Sequence, residues 1–128
     1  MLERSVCEAL AAAYAEVRGH VMAEGDWYWT SDHDAPYGLA VEDAGGFRET
    51  WLGVSSKRAA SQFSPWCPRL DQLLDLAGQT ATGRVRLEET SGGWQCGTFI
   101  WIESDDMQDG RTPEAAVAAW LLARAKEG

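Results

Sequence analysis

Residues 27–34 read Trp-Tyr-Trp-Thr-Ser-Asp-His-Asp, three aromatic rings followed by a histidine between two aspartates. Two chemistries use these residue types at this spacing. Trp27 and Trp29, two apart in an extended segment, share a face and form a platform on which the apolar side of a base or sugar stacks. Asp32, His33 and Asp34 make an acid–base or metal-ligating set whose imidazole titrates near neutral pH. The other fate of such a segment is structural, with the rings anchored in a core and the Asp-His-Asp turn left in water.

Other site chemistries find less support. Cys7, Cys67 and Cys96 are an odd set with no close spacing, and His20 stands apart from His33, so no zinc knuckle is written in the sequence. The acidic run 105–110 fails as a calcium loop, because counting Gly110 as the sixth position puts Met107 at the third and Ala116 at the twelfth. There is no Gly-x-Ser-x-Gly elbow, phosphate-cradling glycine loop, dinucleotide fingerprint or His-Glu-x-x-His. Cys96 lies in a strand-like stretch, where a small buried inert thiol is expected. The sequence thus implies no metal, no cofactor and no catalytic set.

Charge narrows the partners. Twenty acids against eleven bases give a formal net charge of −9, and the acids cluster. Glu24, Asp26, Asp32 and Asp34 follow one another without an intervening base, as do Glu103, Asp105, Asp106 and Asp109. Nucleic-acid affinity rests on cations neutralising phosphates, so direct binding to nucleic acid is disfavoured. A negative surface instead suits a basic protein partner, and seven tryptophans supply the residue type that anchors interfaces. No apolar run is long enough to cross a membrane, and the acids among the first residues argue against a signal peptide. The unpaired cysteine count fits a reducing, cytoplasmic setting.

The elements that must position these residues follow from periodicity. Val6, Leu10, Tyr14, Val17 and Val21 make one helical stripe from Leu2 to about Glu24, stopped at Gly25. Residues 37–54 alternate around a glycine-containing turn and read as a β-hairpin; residues 55–68 read as a loop or a ragged edge and not as a regular element. Leu70, Leu73, Leu74 and Ala77 mark a short helix closed by Gly78. A second hairpin follows, with Val85 and Leu87 inward and Arg84, Arg86 and Glu88 outward. After an acidic loop, Thr112 caps a last helix with Pro113 at its first position, Glu114 near its positive end, and Val117, Trp120 and Leu121 on the buried side. The expected fold is α+β in one domain, 1–128: an antiparallel sheet of about four strands from two hairpins, packed with three helices in the order α-ββ-α-ββ-α.

Trp66, Pro68, Leu70, Asp71, Leu73, Leu74, Gly93, Trp94, Cys96, Thr112, Pro113, Ala116 and Leu121 carry a resemblance over residues 65–128 to small uncharacterised proteins of phages and prophages. In those, a leucine-rich helix, a hairpin with a Gly-Trp and a final helix opened by a Thr-Pro or Thr-Ala form an α/β sandwich. The resemblance implies a phage or mobile-element origin and supplies no catalytic residue. With the charge, it leads to a non-enzymatic binding protein, an anti-CRISPR-like or other anti-defence inhibitor docking on a basic host protein that handles nucleic acid. Its expected surface comprises Trp27, Trp29, Asp32, Asp34, Asp105, Asp106 and Asp109. Two alternatives stand beside it: a small-ligand binder or enzyme with a pocket lined by Trp27, Trp29 and His33, and a phage structural or assembly component. The oligomeric state is not legible.

Overall fold

Two runs of the chain gather into separate compact units in the computed structural model, Glu3–Pro68 and Arg69–Gly128 with Met1–Leu2. The described residues are 2–21, 23, 25–29, 37–41, 47–51, 54–58, 65–81, 83–99 and 106–127, those between 37 and 58 by backbone alone. The α+β class expected from the sequence is the class adopted.

In the first unit, helix α1 (Arg4–Ala13) buries Cys7 and Leu10 on one face. The stripe predicted to run on to Glu24 is interrupted at Tyr14, whose backbone is extended at φ −122° and ψ 121°. Only one further turn, α2 (Ala15–Arg18), follows, and Val17 closes the buried face. The Arg18 guanidinium reaches back to the Ala11 and Ala12 carbonyls, 2.8 Å each, satisfying acceptors that the end of a helix leaves without partners. Val21, assigned to the stripe by spacing, is 82% exposed instead.

A five-stranded antiparallel sheet follows, in the order β4-β3-β2-β1-β5. Its strands are β1 (Trp27–Tyr28), β2 (Tyr37–Val41), β3 (Phe47–Trp51), β4 (Val54–Arg58) and β5 (Trp66–Cys67). The first predicted hairpin is β2–β3, with Val41 opposite Phe47. The predicted loop 55–68 is corrected, since it contributes β4 and β5. Small and polar residues pair as strands there because backbone N–H and C=O groups beside a sheet find their partners in it.

In the second unit, α3 (Leu70–Thr80) buries Leu73, Leu76 and Ala77 and runs past the predicted stop at Gly78. Gln72 Oε1 accepts the Arg69 N–H at 2.9 Å and closes the start of the helix. The second hairpin is β6 (Arg84–Thr90) and β7 (Gly93–Phe99), with Leu87 opposite Cys96. Arg84, Arg86 and Glu88 face out as expected. The predicted acidic loop supplies a third strand, β8 (Gln108–Gly110), making β7 central. Helix α4 (Pro113–Glu127) begins where expected: Thr112 Oγ1 accepts the Ala115 N–H at 3.1 Å, and Ala116, Val117, Trp120 and Leu121 are buried.

The single sheet of about four strands is therefore corrected. The two hairpins belong to different sheets: the first is completed by β4 and by the two-residue strands β1 and β5, the second by the three-residue β8, and strands of two or three residues are too short to show an alternating pattern.

Candidate binding surface

The aromatic segment folds inward. Strand β1 lies between β2 and β5, pairing Trp27 with Gly38 on one side and Cys67 on the other. Tyr28 and Trp29 are 4% and 8% exposed, and Trp27 is half-buried. The Trp29 N–H donates to the Pro65 carbonyl at 3.0 Å, extending the pairing beyond β1, and the Arg4 guanidinium lies 5.1 Å from the Trp29 ring centre. Trp29 is thus a core ring and not part of an exposed stacking platform, which takes it off the expected docking surface. Asp32, His33, Asp34 and Asp105 lie outside the described residues.

One histidine does meet a buried carboxylate. His20 Nε2 lies 2.7 Å from Asp26 Oδ2, and the same oxygen accepts the Ala23 N–H at 3.0 Å. Asp26 is 3% exposed, and Gly25 before it takes φ +89°, a conformation that glycine adopts without strain. The imidazole stacks on Trp66 at 3.5 Å and 4°. A carboxylate that orients an imidazole is half of a general-base arrangement. Among the described residues no hydroxyl or thiol bonds to the ring, so the geometry is that of a clasp joining His20 to Asp26 and stacking it on Trp66 of β5.

A second carboxylate expected at the surface is also turned inward. Asp106 Oδ1 accepts the Thr98 N–H at 2.8 Å, and Oδ2 accepts the Trp120 indole N–H at 2.9 Å and the Thr98 hydroxyl. Its charge serves to tie β7 to α4, so Asp106 is corrected from a docking residue to an internal one. Cys96 beside it is fully buried, and its thiol is pushed up to about 11 by burial and then by the Asp106 charge. The small buried thiol expected there is what the strand carries.

Asp109 remains outward. It is exposed on β8 opposite Gln95, and Gln95 lies opposite Glu88 on β6. Paired residues share a face of a sheet, so Glu88, Gln95 and Asp109 form a row across all three strands with an exposed carboxylate at each end. Arg86 pairs with Glu88 at 3.4 Å and also covers the Phe99 ring at 4.5 Å. At this end of the sheet an open groove of about 550 Å³ is lined by the 90–93 turn together with Trp94, Gln95, Asp109 and Arg111.

Two glycines bring the walls of the groove together. A Cβ on Gly93 would lie 2.4 Å from the Gly110 carbonyl oxygen, and one on Gly110 would lie 2.3 Å from the Ala116 nitrogen. Only bare backbone lets β7, β8 and the first turn of α4 stack this closely. Trp94 and Glu88 were absent from the surface expected from the sequence. The signal for Glu88 is the outward register of the second hairpin, which becomes an acidic row only once β8 is known to pair with β7; Trp94 lies opposite Glu89, on the face of Leu87 and Cys96, and carries no such signal.

No group of three or more His, Cys, Asp or Glu side chains suited to a metal ion occurs among the described residues, and no described helix is long and apolar enough to cross a membrane. No family model, curated protein or solved structure matches the chain.

Proposed function

We propose that this chain is a non-enzymatic binding protein of phage type, docking through an acidic surface on a basic host protein that handles nucleic acid and acting as an anti-CRISPR-like or other anti-defence inhibitor. The observation that carries the reading is the row Glu88–Gln95–Asp109 beside the Trp94 groove, in a chain of net charge −9. Exposed Asp109, with Glu88 shared with Arg86 at the other end of the row, favours a cationic partner over a phosphate backbone, and half-buried Trp94 in the groove supplies apolar contact area. The acid excess is present in both units: ten acids to five bases in Glu3–Pro68, and ten to six in Arg69–Gly128. The resemblance of residues 65–128 to phage proteins gives this surface its biological setting.

The test is capture of partners from bacterial lysate by the tagged chain, washed at low and then high salt, alongside the Glu88→Lys/Asp109→Lys double variant. One basic nucleic-acid-handling protein, retained at low salt, lost at high salt and reduced at least tenfold by the double variant, is the expected result. A partner held equally by the variant would remove this surface from the reading, and no partner at either salt would remove the reading itself.

A further inference from the structure

The three cysteines, read from the sequence as scattered, are not equivalent in space. Cys7 on α1 and Cys67 on β5 are 0% and 2% exposed, neither is in a disulfide, and α1 packs on β5. The buried face of α1 carries Cys7 and Leu10, and Cys67 is the buried residue of β5, so the packing of α1 on β5 puts both thiols at the same contact. Cys96 belongs to the other unit. We propose that Cys7 and Cys67 are a disulfide-forming pair that joins the two ends of the Glu3–Pro68 unit when the chain meets a small disulfide such as oxidised glutathione.

The exchange needs no other oxidant. The thiolate of one cysteine attacks a sulfur of oxidised glutathione, forming a mixed disulfide and releasing one glutathione, which takes up the proton. The second cysteine thiolate then attacks the protein sulfur of that mixed disulfide and displaces the other glutathione. Two protein thiols become one disulfide and one small disulfide becomes two thiols, so electrons and protons balance. The hydrogen bond to Cys67 and burial hold the Cys7 thiol protonated far above the usual range, and thiolate is the reactive form. The exchange therefore proceeds through transient lifting of α1 from β5, slowly in the native protein and faster in mild denaturant. Once formed, the bond constrains nearly the whole unit, because the loop it closes in the unfolded chain spans most of that unit.

The full chain is incubated with oxidised glutathione, blocked with maleimide under denaturing conditions and mapped by tryptic mass spectrometry. Expected is a linked pair of peptides, 5–18 and 59–69, lighter by two hydrogens than their sum, with Cys96 alone carrying maleimide. The oxidised chain should also unfold at a higher temperature than the reduced one. Cys67→Ala should abolish both effects and Cys96→Ala neither. Stable glutathione adducts on Cys7 or Cys67, disulfides between chains, or maleimide on all three cysteines would overturn the proposal. Mapping of the unmodified sequence keeps the test decisive even where a substituted chain folds poorly.

Discussion

Asp106 and Asp109 stand three positions apart in one acidic run, yet they do opposite work. Asp109 is exposed, whereas Asp106 accepts from the Thr98 backbone and hydroxyl and from the Trp120 indole. Removing a partly buried carboxylate leaves those donors without it, and hydrogen bonds to a charged acceptor are each worth about 1.5–3 kcal/mol. Asp106→Ala should therefore lower unfolding free energy by about 2–3 kcal/mol in urea titration, and Asp109→Ala by less than about 0.5 kcal/mol. Equal losses would mean that Asp106 is a surface charge after all. Nothing in the run of acids distinguishes the two residues, because the distinction depends on Thr98 and Trp120, one of them on a different strand and the other on a helix.

At the scale of elements, the contact between β8 and α4 rests on a missing side chain. A Cβ at Gly110 would meet the Ala116 nitrogen at 2.3 Å and the Ala115 carbonyl carbon at 2.7 Å, both backbone atoms that cannot swing aside. Gly78 sits inside α3 with nothing within 4 Å of an added Cβ. Gly110→Ala should cost about 2 kcal/mol or more through forced displacement of packed elements. Gly78→Ala should instead stabilise by about 0.5–1 kcal/mol through helix propensity. Thermal unfolding of the two variants measures both, and a Gly110→Ala chain as stable as the parent would show that β8 and α4 are not closely stacked. The same comparison separates the two readings of a glycine near a helix: Gly78 was expected as a stop and is an ordinary interior residue.

At the scale of the whole molecule, three described side chains titrate away from their ordinary values in the same direction. The Cys7, Tyr28 and Cys96 side chains all ionise later than usual. Each group is neutral in both states below its ordinary value, so its contribution to stability is complete there. As pH rises past that value the unfolded chain loses the proton first, and the contribution falls until the folded group titrates as well. For Cys96 the window runs from the ordinary thiol value of 9.0 to about 11, and the loss across it amounts to about 2–3 kcal/mol. Melting temperature should be set by other groups below pH 9 and should decline through this window, with a shallower decline in Cys96→Val. An identical decline in that variant would show that Cys96 does not bear the effect.

The sequence alone determined the α+β class, both hairpins, the inward face of β6 and the start of α4. All of these depend on neighbours in the chain: alternation for a strand, three-to-four spacing for a helix, and a threonine and a proline at a helix start. It also determined the charge, and with it the kind of partner proposed. Tertiary structure decided which rings are core, where the first helix breaks, which short segments become strands, which acid is internal, and that Cys7 meets Cys67. Each of these depends on residues distant in sequence, and a strand of two or three residues carries too few side chains to reveal its partner. Trp29 is buried with Arg4 of α1 against its ring, and nothing within its own segment says that α1 will cover it or that β5 will arrive from position 66 to pair beside it.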